Sequence, residues 1–381
     1  MNPSYRWALA SVSLSMLLAS LGTSIANVGL PAMATAFDAS FAEVQSIVLV
    51  YLMVITVTVV GVGRLADLTG RRRLLLIGIG LFTVASGLCA IAPTLRMLVA
   101  LRAVQGLGAA IMMALSMAAL PKARIGSAMG LLGTMSAAGT ALGPALGGML
   151  IAEFGWPSIF LISIPIGIAA LLLAYCFLPA DSVRSKPASS APPKIPRAGL
   201  AMNVLVTAVV MATLVIGPFY LAGELALDAA AIGLVMSCGP IVSVLTGVPA
   251  GRLVDRVGTH QVTIAGLIGM ACGAAGLAMT SASLGVAGYI APLVILTAGY
   301  ALFQAANNTA VMSAVADEQR GAASGILTLS RNLGLISGTC VMGLVFTVGG
   351  MHLAFAFAAL LILAAMAIAQ GRGHSFSNRV D

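Results

Sequence analysis

A short charged loop occurs twice in this chain at a spacing of half its length. One copy reads Gly63-Arg-Leu-Ala-Asp-Leu-Thr-Gly-Arg-Arg-Arg73 and the other Gly251-Arg-Leu-Val-Asp-Arg-Val-Gly258. Their opening glycines are 188 positions apart (251 less 63) in a chain of 381 residues. Each copy lies between two long apolar segments. A loop that recurs at this spacing implies two related halves in tandem, each built on the same plan.

Composition says in which solvent those halves fold. Hydrophobic residues make up 60% and charged residues 8%, where a soluble domain carries about 25% charge. Apolar runs follow one another almost without pause, each near the roughly 20 residues that span a bilayer. Twelve are read, near 7–30, 43–62, 73–92, 95–120, 126–151, 157–178, 199–222, 230–250, 261–281, 286–313, 321–348 and 352–370. Many of the 43 glycines stand four apart, as in Gly139/Gly143/Gly147, Gly247/Gly251, Gly321/Gly325 and Gly334/Gly338. In lipid, small residues at this spacing let helix backbones approach and pack. The expected fold is an all-α membrane protein of twelve transmembrane helices in two pseudo-symmetric six-helix halves, the ground plan of many secondary transporters.

With a cytoplasmic N-terminus, the inner loops collect sixteen basic residues, from Arg6 and Arg64 through Arg320 to Arg379, and the outer loops only Arg96. The outer loops hold instead Asp38, Glu43, Glu153, Glu224 and Asp228. This is the positive-inside pattern, and it places both termini in the cytoplasm. The net charge of +8 is thus a matter of topology, and no nucleic-acid partner is expected. The first apolar run is too long for a secretory signal and is retained as a span. Cys89, Cys176, Cys238, Cys272 and Cys340 all fall inside predicted helices, with no metal-ligand spacing among them. No metal or other cofactor is expected.

The segment from Asp181 to Ala198 is polar and rich in Pro, Ser and basic residues, which fits a linker rather than a regular helix. The expected organisation is an N-terminal half at 1–180, a cytoplasmic linker at 181–198, a C-terminal half at 199–371 and a cytoplasmic tail at 372–381. No added soluble domain is read at either end.

The polar residues inside the spans are few, and each needs a reason. Arg102 is the one charged residue read deep in a span; a buried arginine costs at least about 2.5 kcal/mol even on the lenient insertion scale. It either serves a substrate pathway or staples helices. Gln105 follows one turn later on the same face. Gln304, Asn307 and Asn308 cluster on the tenth span beside Tyr300 and Phe303. Asn27, Tyr51, Arg102, Gln105, Tyr300, Gln304 and Asn308 form the expected substrate cavity, with interhelical hydrogen bonding as the plainer alternative. Gly139, Gly143, Gly147 and Gly148 make a smooth stripe on the fifth span, and Pro144 removes a backbone donor there. The stripe either packs helices closely or slides against the other half. Asp67 and Asp255 lie at the inner ends of helices 2 and 8, where a carboxylate can meet the positive N-terminus of another helix. Gly63, Asp67, Gly70, Arg71, Arg72, Asp255 and Arg256 are therefore read as gating loops. Ser40-x-x-Glu43 reads as a capping box for helix 2, and Asp228 as a cap for helix 8.

Four local patterns, taken in order, resemble the major facilitator superfamily. Gly63 to Arg73 is similar to its G-x-L-x-D-R-x-G-R-R-x loop, with Leu68 where a base is usual. Leu98-x-x-x-Arg102-x-x-Gln105-Gly106-x-Gly108-Ala109-Ala110 resembles its fourth-helix motif, and Gly139-x-x-x-Gly143-Pro144-x-x-Gly147-Gly148 its fifth-helix antiporter motif. Trp156-Pro-Ser-Ile-Phe160-Leu-Ile-Ser-Ile-Pro165-Ile-Gly167 is similar to the opening of helix 6 in the drug:proton antiporter branch, whose members often have fourteen spans rather than twelve. The resemblance implies that the helix-5 stripe and kink form a sliding contact near the outer gate. In the first helix, Leu21-Gly22-Thr23-Ser24-Ile25-Ala26-Asn27-Val28-Gly29-Leu30-Pro31 resembles the branch's L-D-x-T-I-V-N-V-A-L-P, but Gly22 stands at the acidic position. That acid is the branch's candidate proton carrier. With no deep carboxylate read in any span, Glu224 and Asp38 are left as coupling acids.

The expected function is not enzymatic: no HExxH, paired intramembrane aspartates or Gly-x-Ser-x-Gly is present. The leading expectation is a monomeric inner-membrane exporter of small amphipathic or drug-like molecules, working by alternating access and coupled to protons. The alternative is an uncoupled or differently coupled exporter of a native metabolite, such as a sugar or amino-acid derivative. A non-transporting membrane sensor ranks third.

Overall fold

The structure is a computed structural model that describes residues 3–116, 125–178, 195–315 and 320–377. Its elements are α1 (Pro3–Phe37), α2 (Phe41–Thr69), α3 (Arg71–Ala90), α4 (Leu95–Ser116), α5 (Ile125–Phe154), α6 (Ser158–Leu161), α7 (Ser163–Phe177), α8 (Arg197–Gly223), α9 (Ala229–Val257), α10 (Thr259–Met279), a 3-10 turn (Ala282–Leu284), α11 (Gly285–Ser313) and α12 (Arg320–Ser377). Inside α12 the backbone leaves the helix at Gly349 and Gly350, where φ at Gly350 is +66°. Among the described residues, ten helices are long and apolar enough to cross a membrane, and α5 holds a shorter apolar stretch at Ala138–Phe154. Most of the linker read at 181–198 lies outside the described residues.

The helices fall into two compact units. The first holds α1 to α7 together with Asp228–Ser237, the opening turns of α9; the second holds α8, α9 from Cys238, and α10 to α12. In the first, α1 packs on α5 and α7, and α2 and α3 pack on α4. Its core runs through Leu18, Tyr51, Ile79, Phe82, Ala109, Ala110 and Met112. In the second, α8 packs on α12 and α10 on α11.

The repeat read from the two loops extends through the backbone. Asp38 and Ala226 both take left-handed φ, at 47° and 49°. Two residues later the helices are capped: Ser40 and Glu43 form the expected capping box on α2, and Asp228 Oδ1 accepts from the Ala231 N–H at 2.7 Å on α9. Gly70 ends α2 at φ 92°, ψ 137°, and Gly258 ends α9 at φ 95°, ψ 157°. Each pair is 188 residues apart (226 less 38, 228 less 40, 258 less 70). Packing repeats as well. A Cβ on Gly78 would overlap Ile111 on α4, and one on Gly266 would lie 2.6 Å from Phe303 N on α11.

The conformation at Gly70 and Gly258 is open almost only to glycine, and costs another residue about 1–3 kcal/mol. Gly70→Ala and Gly258→Ala are therefore expected to lower the thermal midpoint of the purified protein by similar amounts. Thermal unfolding followed by intrinsic fluorescence checks this; a midpoint unchanged in either variant counts against the strain.

Candidate functional site

Arg102 is fully buried on α4 and ties three helices together. Its Nε donates to the Ile47 carbonyl of α2 at 3.2 Å, and its Nη2 to the Gly22 carbonyl of α1 at 3.1 Å. Nη1 donates to Gln105 Oε1 at 2.5 Å. The guanidinium lies 3.9 Å from the centre of the Tyr51 ring and 5.9 Å from that of Phe160. Gln105 passes the chain on, donating from Nε2 to Ser86 Oγ at 2.7 Å, and Ser86 donates to the Phe82 carbonyl. Tyr51 Oη donates to the Ala19 carbonyl at 3.1 Å. Each guanidinium nitrogen donates to a neutral acceptor, which is how a cation is tolerated away from water.

Gly22 accounts for the neutrality. A Cβ built there lies 3.0 Å from both Tyr51 Oη and Phe82 Cζ. The position that bears an acid in the resembled branch thus points at the Arg102 cluster, and here its backbone carbonyl takes the guanidinium instead.

The other expected cavity residues divide by exposure. Tyr51, Arg102, Gln105 and Asn27 are buried among helices, Asn27 with its Oδ1 lacking a partner among the described residues. On α11, Tyr300, Gln304 and Asn308 are half-buried, and Gln304 Oε1 also lacks such a partner. Asn307 is buried and donates to the Gly199 carbonyl of α8 at 3.2 Å, so it serves helix packing. The two clusters sit in different compact units.

The glycine stripe divides between two neighbours. Gly139, Gly143 and Gly147 pack against α1, where added Cβ atoms would strike the Leu17 carbonyl, Ser24 and Val28. This is close packing inside one unit, with Ser24 Oγ donating to the Gly139 carbonyl at 3.1 Å. Gly148 and the Pro144 carbonyl face the opening turns of α9, where a Cβ on Gly148 would sit 2.7 Å from Gly233 Cα. Glycines one residue apart lie about 100° apart on a helix, so they serve different neighbours.

In the gating loops, Arg72 donates to the Tyr175 carbonyl of α7 and lies 5.9 Å from the Tyr175 ring centre. Arg71, Asp255 and Arg256 are exposed. Gly63 and Asp67 sit in α2, and the Asp67 side chain lies outside the described residues. Glu224 and Asp38 are both exposed at helix ends. No group of three or more His, Cys, Asp or Glu that could hold a metal ion occurs among the described residues.

One correction concerns charge inside the spans. Arg331 lies in α12, eleven positions after Arg320, and is exposed in the structure. Arg102 is therefore not the only charge deep in a span. The signal was present: Arg331 interrupts an apolar run read at 321–348, but neighbouring Ser330, Asn332 and Gly334 make that run look merely polar.

The architecture defines a multi-pass, all-helical integral membrane protein of transporter type. The chain belongs to the Major Facilitator Superfamily, whose sequence profile matches residues 12–338. Relatives include the riboflavin transporter RibZ of Clostridioides difficile, 29% identical over 88% of this chain and 87% of the relative. The multidrug efflux pump LfrA of Mycolicibacterium smegmatis is 28% identical over 91% of this chain and 82% of its own length. The solved structure of a bacterial homolog of the human lysosomal transporter Spinster, inward-facing and occupied, superposes with a TM-score of 0.82 at 14% identity over 99% of both chains. That likeness is one of fold alone.

Proposed function

We propose that this chain exports small amphipathic molecules across a bacterial inner membrane by exposing one binding site to each side in turn. The observation that carries the reading is the near full-length likeness to a multidrug efflux pump. Twelve crossings fit this reading: the ten long apolar helices, α5 as an eleventh, and a twelfth obtained by dividing α12 at Gly349 and Gly350. Both termini are then cytoplasmic, with a six-crossing half on either side of the 181–198 linker, and the protein works as a monomer. Half-buried Tyr300, Gln304 and Asn308 contact substrate, while Arg102, Gln105 and Tyr51 hold the first four helices in register. The loops around Asp67 and Asp255 gate access. The test is a susceptibility and accumulation panel on cells with and without the protein; equal accumulation of every amphipathic compound tried sinks the reading.

A second reading, export of a native metabolite without proton coupling, is favoured by Gly22 and by the likeness to a riboflavin transporter. An antiporter needs a titratable group that reaches both sides in alternation. Arginine does not release its proton in this range, and Glu224 and Asp38 are exposed carboxylates at helix ends. An imposed pH gradient is therefore expected not to drive uphill efflux from proteoliposomes. Uphill efflux that survives neutralising both acids would point to a carrier elsewhere; its loss in Glu224→Gln alone would locate the carrier there.

A further inference from the structure

Arg331 has a chemistry that the reading above leaves unused. It lies eleven residues past the start of α12 and eight past the start of the apolar stretch at Ala323. At 1.5 Å per residue that is a depth of about 12–16 Å. The hydrocarbon core is about 30 Å thick, so the guanidinium belongs near the middle of the membrane, too deep for its stem to carry the charge to either surface. Its side chain is exposed and makes no hydrogen bond, ion pair or ring contact with the described residues. This is the reverse of Arg102, which is fully buried with each guanidinium nitrogen donating a hydrogen bond.

The face of α12 that carries Arg331 is mixed, with apolar Leu327, Leu335 and Met342 within about 40° of it, and the most exposed leucines lie on the other side. Leu333, Cys340 and Leu344 are exposed and lie about 140–180° around the helix from Arg331. Ser324 and Thr328 lie within about 60° of it, both half-buried. On the adjoining flank, Thr207 of α8 donates to the Arg331 carbonyl at 3.2 Å, and Asn203 donates to Ser330 Oγ at 2.8 Å. A lone cation at this depth is tolerable only where it lines water, since exposure to lipid costs at least about 2.5 kcal/mol.

We propose that Arg331 is the substrate-anchoring residue of the transport pathway, and that the preferred substrates are amphipathic organic anions bearing a carboxylate. The proposal deepens the export reading and rests on it. A planar guanidinium with free donors matches a carboxylate in a two-pronged hydrogen-bonded pair. The acidic residues of the described spans stand at helix ends, Glu43, Asp67, Glu153 and Asp255 among them. A cationic substrate at this depth would meet Arg331 with no carboxylate beside it among the described residues, whereas an anion would pair with Arg331.

Two measurements test this. The first is aqueous access: in a background with the five cysteines replaced, Arg331→Cys is expected to react with a membrane-impermeant methanethiosulfonate, and Leu333→Cys, on the far face, is not. Equal labelling of the two, or none at residue 331, overturns the placement. The second is binding by purified protein in detergent, read by anisotropy of the anionic dye fluorescein and of the cationic dye ethidium. Wild type is expected to prefer fluorescein. Arg331→Gln is expected to weaken that binding at least tenfold while sparing ethidium, and Arg331→Lys to keep part of it. Preference for ethidium, binding of neither dye, or fluorescein binding unchanged in Arg331→Gln overturns the assignment. Arg331-dependent binding without efflux from vesicles would leave the anion site standing and remove the export reading instead.

Discussion

Arg102→Leu is expected to destabilise the first unit by about 3–5 kcal/mol, the range for emptying a packed site and leaving a buried polar group without its donor. The guanidinium joins carbonyls of α1 and α2 to Gln105 of α4 and stacks on Tyr51. Leucine fills part of the volume and none of the hydrogen bonds. Gln105 Oε1 loses its donor, and the link onward to Ser86 loses its anchor. At about 2–4 °C per kcal/mol for a domain of this size, the thermal midpoint falls by roughly 10 °C. Arg102→Lys keeps a donor but not the planar stack, and should fall between. The informative comparison is midpoint against transport. A variant that stays as stable as wild type and loses only transport would make Arg102 a substrate group rather than a tie.

Gly148→Leu and Gly233→Leu are expected to abolish transport while leaving the helices folded. A Cβ at either position overlaps backbone of the other helix, including Gly233 Cα at 2.7 Å and Gly148 Cα at 2.8 Å. Side chains can turn aside, but backbone cannot, so the close crossing of α5 and α9 is lost. If that crossing belongs to one state of the cycle, a penalty of about 3 kcal/mol depopulates the state about 100-fold. Gly143→Leu is the contrast. Gly143 faces α1 inside its own bundle, and its enlargement should lower the midpoint as well as activity. Transport at the wild-type rate in Gly148→Leu, or unfolding of it alongside Gly143→Leu, would show that the crossing is not a moving contact.

The broad plan was legible in the sequence because a bilayer imposes few choices: long apolar runs become helices, and a repeated loop becomes a repeated turn. Ser40-x-x-Glu43 and Asp228 were legible as caps, because capping depends on residues a few positions apart. What could not be read was direction. In a soluble helix the polar face marks the outside; here lipid-facing and buried faces are both apolar, so Leu344 and Leu18 look alike although one is exposed and the other fully buried. The same ambiguity hid which neighbour each glycine serves, and set Gly148 beside Gly147 in one motif although they pack on different helices. It also left Arg102 open between cavity and staple. Nor could the sequence show that carbonyls of Gly22 and Ile47, 80 and 55 residues away along the chain, converge on its guanidinium.

The matched turns have a consequence for the lengths of α2 and α9. Both run from a capped start to a glycine that only glycine can occupy comfortably, and both are 29 residues long. Adding or removing one residue between those fixed ends would turn everything beyond it by about 100° and shift it by about 1.5 Å. Tyr51 would swing off the Arg102 guanidinium. Substitution is tolerated at the caps, where Ser40 and Asp228 do one job with different chemistry. Insertion and deletion are not, so each of the two helices behaves as a ruler whose length is set to the residue.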